Sequence, residues 1–313
     1  MIRVPSIYAN ALWTKALWLI WVWIIPIIIL AAIGYKVMAS PDKLNLLIET
    51  AVVDWSWMML SIVLLPLNIL LEAKKWKVIL GAIENSSLWI CTKTILSGKS
   101  LNVISPFGIG DAFARIMAVP VRRRKSIIGG VLIDRVSQML PTLILGLCSG
   151  YYLMRNGYDW SVQTILIPMG IGAMLMLSTV VLVNSYRGKL MAYLVLLKGL
   201  TLNIALYVAS ISFARFTVFA LQFYFVFLSF GSESPAIVLW LGIGWIFFVK
   251  TIFPTLSILG DLVKRELSAI LFFSFFAADM GIVIVASFTL WIINILVPSA
   301  LGIFFIGDIK KRF

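Results

Sequence analysis

The stretch IIGGVLIDRVSQMLPTLILGLCSGYYL, residues 127–153, decides the fold. It is long enough to cross a bilayer, whose hydrocarbon core takes roughly 20 apolar residues of helix. Its charged residues are the adjacent pair Asp134 and Arg135. A charge inside the hydrocarbon costs about 2.5–3.5 kcal/mol on insertion scales, so such residues face a protein interior or a water-filled cavity. Gln138 falls one helical turn after both and extends a polar stripe. The competing reading is an interfacial pair, because the cluster Arg122-Arg123-Arg124-Lys125 lies just upstream.

Composition generalises what this run implies. Of 313 residues 62% are hydrophobic and 12% charged, with a mean hydropathy of +1.05. A soluble domain is nearer half apolar and about a quarter charged. One core cannot hide this much Ile, Leu, Val and Phe, whereas lipid accepts apolar side chains on the outside as well. The expected fold class is therefore all-α, a polytopic transmembrane bundle of about eight spans in a single domain, 1–313. Spans are expected near 16–37, 51–71, 127–153, 161–183, 190–209, 211–230, 268–288 and 289–307. The first run is read as a retained span, since Trp18, Trp21, Trp23 and Pro26 suit no cleavable signal.

The 26 Lys and Arg outweigh 13 Asp and Glu, for a net charge of +13. These cations sit in short clusters between apolar runs, which fits the positive-inside rule and argues against a nucleic-acid partner. An inner-membrane location with both termini cytoplasmic puts Lys74-Lys75-Lys77, Arg122–Lys125, Arg187 with Lys189, Lys264-Arg265 and Lys310-Lys311-Arg312 on the cytoplasmic side. That assignment requires the interrupted segments at about 86–120 and 236–266 each to enter and leave on one side. There is no histidine and there are two cysteines, Cys91 and Cys148. Zinc sites, Cys/His pairs and Ser-His-Asp triads are thereby excluded, and neither a metal nor a cofactor is expected.

The two interrupted segments echo one another. Pro106, Gly108, Gly110, Asp111 and Arg115 in the first correspond to Pro254, Gly260, Asp261 and Arg265 in the second. A pseudo-repeat of about 51–153 and 211–307 follows. Helix-breaking residues in corresponding positions of two halves point to a transporter's binding site. Asp111 and Arg115 are four apart, either a helix-capping ion pair or the lining of a polar cavity. Asn68, Glu72 and Trp76 form one stripe, either part of that lining or a snorkelling helix end. Lys198, Arg215, Lys250, Asp279 and Asn294 are further polar residues within apolar runs.

On these residues the chain resembles the transmembrane flippase region of lysylphosphatidylglycerol synthetases, especially the short stand-alone relatives from Bacteroidetes. The resemblance rests on Leu67-Asn68 with Leu71 through Lys77, Ser105-Pro106 through Asp111 with Arg115, and Leu132-Ile133-Asp134-Arg135. It continues with Phe253-Pro254-Thr255, Asp261-Leu262 and Arg265, then Trp291-Ile292-Ile293-Asn294 with Pro298. The family usually carries Glu where this chain has Asp111 and Asp261, its Pro254-to-Asp261 spacing is one residue shorter, and its aminoacyl-transferase domain is absent here. The resemblance implies handling or translocation of a lipid, with no lipid aminoacylation.

The expected partners are membrane lipids, an anionic phospholipid or a lipid-linked substrate. Arg115, Arg135 and Arg265 are expected to meet a phosphate, while Asp111, Asp134 and Asp261 orient them and keep the empty site neutral. Without a Walker motif the step would be passive or ion-coupled. An enzyme modifying a lipid carrier and a non-transporting scaffold are the alternatives.

Overall fold

The computed structural model describes residues 53–105, 108–156, 201–253 and 257–310, with the isolated positions 27 and 31. The expected spans 16–37 and 161–183, residues 190–200 of the expected span 190–209, and Pro106, Arg187, Lys189, Lys198, Pro254, Lys311 and Arg312 lie outside the described residues. Within them the chain is helical, and four helices are long and apolar enough to cross a membrane. These are Trp55–Gly81, Val121–Asn156, Leu202–Ser229 and Met280–Ile303. Large apolar side chains such as Val63, Leu147, Leu206 and Phe304 stand exposed on the outside of the bundle, as lipid solvent requires.

Helix α1, Trp55–Gly81, starts at Asp54, whose carboxylate accepts from the Ser56 N–H. It runs ten residues past the expected end at 71, because Ala73, Lys75, Trp76, Ile79 and Leu80 are buried and hold the last turns in the bundle. Helix α2, Leu88–Ile104, and helix α3, Gly110–Met117, form the first interrupted segment. A turn over Val121–Arg123 leads into α4, Arg124–Asn156. Helix α5, Leu202–Ser229, is followed by the second interrupted segment, α6, Ala236–Ile252, and α7, Ile258–Phe273. Helix α8, Met280–Trp291, passes through a wide π-turn at Ile292–Leu296 into α9, Val297–Ile303.

Two expected span boundaries are corrected. No turn interrupts α5 near Ser210–Ser212; the Ser210 and Ser212 hydroxyls donate back to the carbonyls of Tyr207 and Val208 at 2.8 and 3.0 Å, so neither competes with its helix. The proposed division at 288–289 is likewise continuous helix. The real break falls earlier, at Ser274–Ala278, where Ala277 takes a left-handed φ of 50° and Asp279 caps α8.

Contacts place the ends of each helix. The Asp54 N–H donates to the Ser229 carbonyl, and Lys74 stands over the Tyr207 ring, so α1 and α5 are antiparallel neighbours. Arg123 donates to the Ile83 carbonyl, which sets the start of α4 beside the end of α1. The first interrupted segment leaves and returns at that same end, where Ile79, Leu80, Cys91, Val119 and Ile127 share one apolar cluster. The second leaves and returns at the other end, where Phe227 meets Phe273 and Tyr152 meets Phe276. Helix α9 comes back to the first end, with Phe305 against Trp89 and Asp308 paired to Lys93. Among the described residues the order is thus span, hairpin from one end and span over 55–156, and span, hairpin from the opposite end and span over 202–303.

Lipid is as apolar as leucine, so close packing and polar contacts hold these helices together. Small residues allow it: Gly146 of α4 lies under Phe248, and Gly244 of α6 lies under Leu145. Gly110 permits a tight turn between α2 and α3, since a Cβ there would sit 2.3 Å from the Leu101 carbonyl carbon.

Candidate functional site

The breaks of the two hairpins meet at one cavity of about 680 Å³. Ser105, Gly108 and Ile109 bring the first break to its wall, and Ser257 and Ile258 bring the second. Broken backbone inside a membrane protein survives only where its polar groups find partners. Here the Gly110 N–H donates to Ser105 Oγ at 2.9 Å and the Asp111 N–H to Asn102 Oδ1 at 2.8 Å. In the second break the Gly260 N–H donates to Ser257 Oγ at 3.1 Å. Gly108 holds the first break open with a φ of 62°, a conformation that strains side-chain-bearing residues.

Arg115 is the centre of the charge network. It is 1% exposed, and its guanidinium lies 4.6 Å from the centroid of the Trp76 ring. Its nitrogens reach Asp111 at 3.0 Å, Asp134 at 3.1 Å and Glu72 at 3.2 Å. The Asp111–Arg115 pair within α3 does form, but contacts to α1 and α4 make it a joint between three helices. Asn68, Glu72 and Trp76 are buried, which excludes a snorkelling helix end. Asp134 also meets Lys75 at 2.9 Å, and Lys75 is completely buried. Lys75 therefore leaves the group of terminal topology cations, because its ammonium closes the interior network.

Around this joint the cavity wall is more cationic than expected. Arg135 pairs with Asp111 at 2.6 Å and is about half exposed. Lys99 and Arg215 reach Glu72 at 3.2 and 2.8 Å. Arg215 also donates to Asn68 and Gln138, and Asn68 donates onward to Gln222 at 3.2 Å. Five cations, Lys75, Lys99, Arg115, Arg135 and Arg215, thus share three carboxylates, Glu72, Asp111 and Asp134. The neutral site expected from the sequence is not what forms.

Across the cavity, Asp261 pairs with Lys250 at 3.0 Å and Lys264 at 3.7 Å. Lys264 also donates to the Phe253 carbonyl at the end of α6, so it belongs to the cavity and not to a terminal basic cluster. Arg265, expected beside the substrate, is absent from the wall; it is 1% exposed and its guanidinium packs 5.0 Å from the Phe223 centroid. Asn294, in the π-turn, lines the cavity, whereas Asp279 is spent on capping α8. The rest of the wall mixes hydroxyl side chains such as Thr142, Thr251 and Ser299 with an aromatic group, Phe216, Phe219 and Phe247, in which Phe247 meets the other two rings edge to face.

Reading the sequence brought Asn68, Glu72, Asp111, Arg115, Asp134, Arg135, Gln138 and Asp261 to this region, and the structure places all eight on or directly behind the wall. It missed Lys99, Asn102 and Gln222. Gln222 carried a readable signal, an amide in an otherwise apolar span.

The fold and site together define a membrane-embedded helical bundle in which two hairpins, entering from opposite ends, close on a charged cavity with aromatic side chains in its wall. No family model, no curated protein and no solved structure matches this chain.

Proposed function

We propose that this is an inner-membrane protein, of the flippase-like kind that the lysylphosphatidylglycerol synthetase resemblance suggests, that binds and translocates a lipid or lipid-linked anionic substrate. The observation that carries the reading is the cavity's mixed wall. Lys99, Arg135, Arg215, Lys250 and Lys264 line it together with Phe216, Phe219 and Phe247, the chemistry of an anionic headgroup and an apolar chain. Arginine holds phosphate bidentately and lysine as a point charge, and both interactions strengthen out of water. A scaffold has no use for so many charges kept inside a bundle, each costly to insert. The opposed hairpins suit two halves that are inverted copies, with the substrate bound between them.

Native mass spectrometry on gently extracted protein tests this reading. Wild type should retain a phosphate-bearing lipid, and Arg135→Ala and Lys250→Ala should each retain less of it while eluting as folded protein. Equal retention by all three would remove the cavity from lipid binding.

A further inference from the structure

Charge balance around the cavity narrows the headgroup. Four carboxylates stand on its wall, Glu72, Asp111, Asp134 and Asp261. The five wall cations are joined from behind by Lys75, 2.9 Å from Asp134, and by Arg115, within 3.2 Å of three carboxylates. Seven cations therefore face four carboxylates among the described residues, an excess of three positive charges. No carboxylate is left over: Glu72 and Asp111 each accept from two or more cations, as do Asp134 and Asp261. Lys75, Arg115 and Arg215 lie nearly out of water, at 0, 1 and 15% side-chain exposure, and charge there beyond what the shared carboxylates neutralise is costly, so the excess around them favours a ligand that brings negative charge.

We infer that the cavity takes a phosphate group bearing two or more negative charges, a terminal phosphomonoester or a diphosphate, carried on an apolar chain. The inference rests on the lipid-binding reading above and specifies its substrate. A phosphodiester headgroup brings one negative charge and leaves most of the excess unmet. A phosphomonoester brings about 1.5 to 2 at neutral pH, and a diphosphate brings more. The cations come from both hairpins, Lys99 on α2 and Lys250 and Lys264 on α6 and α7, and from the spans α4 and α5 through Arg135 and Arg215. That spread suits a group with several oxygens better than a single point of contact. The starts of α3 and α7 also open on the cavity and add the positive ends of two helix dipoles. Phosphate free in solution could satisfy the charge, but it has no use for Phe216, Phe219 and Phe247 in the wall.

The test is a binding titration on the full chain in nanodiscs made of phosphatidylcholine. The probes are phosphatidic acid, phosphatidylglycerol with the same acyl chains, and inorganic pyrophosphate. Phosphatidic acid and phosphatidylglycerol differ in one esterification and therefore mainly in headgroup charge. Phosphatidic acid should bind about tenfold tighter or more, because each added unit charge counts strongly where water is excluded. Arg135→Gln, at a half-exposed position that need not unsettle the fold, should shrink that preference several-fold, and Lys250→Gln should do the same from the other hairpin. Equal binding of the two lipids overturns the charge assignment and leaves the lipid-binding reading standing. Binding of neither lipid overturns both. Pyrophosphate binding as tight as that of phosphatidic acid overturns the lipid as the source of the phosphate.

Discussion

Glu72 accepts from cations on three other helices, Lys99 on α2, Arg115 on α3 and Arg215 on α5, while being 7% exposed itself. Removing its charge leaves three cations without a shared counter-ion in the most cationic part of the bundle. Breaking a buried ion pair by deleting one partner costs about 3–5 kcal/mol, since the survivor stays buried and unmatched. Glu72→Gln keeps the shape, so its effect isolates the charge. We expect a stability loss of about 3 kcal/mol or more in detergent, read by thermal unfolding of the purified protein. An unchanged midpoint would mean that water, and not Glu72, neutralises this group. The residues legible in the sequence were those whose charge stands out in an apolar run, as Asp134, Arg135 and Glu72 do. Lys99 was not, because Ser97-Gly98-Lys99-Ser100 looks like a polar loop until α2 is seen to continue through it. Lys75 was hidden in a basic cluster whose other members, Lys74 and Lys77, do face outward. Only the packing of α1 against α4 separates them.

The hairpins were legible as elements because Gly and a following Asp mark each restart, at Gly110-Asp111 and Gly260-Asp261. Whether such a segment crosses or turns back is a long-range property, decided by which neighbours the returning helix meets. Span boundaries failed for a local reason: Ser210 and Ser212 have turn-forming side chains, yet a hydroxyl can also be satisfied inside a helix. The first hairpin's geometry makes a sharp prediction. Gly110 lies so close to the Leu101 carbonyl that any Cβ must displace backbone, and overpacking of this kind costs about 1–3 kcal/mol. Gly110→Ala should therefore loosen the α2–α3 turn and move Asp111 away from Arg115 and Arg135. Hydrogen exchange should rise across residues 101–115 while α5 and α8 keep their protection. Uniformly faster exchange would indicate that the hairpin is not a separate structural unit.

At the scale of the whole molecule, the two ends of the bundle differ in charge. The end where α1 finishes and α4 begins carries exposed Lys74, Lys77, Arg122 and Lys125. The opposite end presents Asp54, Glu233 and Asp279 as exposed acids beside Arg155. Positive-inside orientation is set by Lys and Arg close to the span ends, and on that rule the first end is predicted to face the cytoplasm. The first hairpin would then descend from the cytoplasmic side and the second from the outer side, so the cavity lies between walls contributed from both faces. Labelling decides the orientation. In a Cys148→Ser background, which removes an exposed thiol and leaves the buried Cys91, Glu233→Cys and Lys77→Cys place single reporters at opposite ends. An impermeant maleimide added to intact cells should label Glu233→Cys, whereas Lys77→Cys should label only after the membrane is opened. The reverse pattern would invert the orientation without altering the bundle. The charge asymmetry between the two ends would then need another origin than insertion.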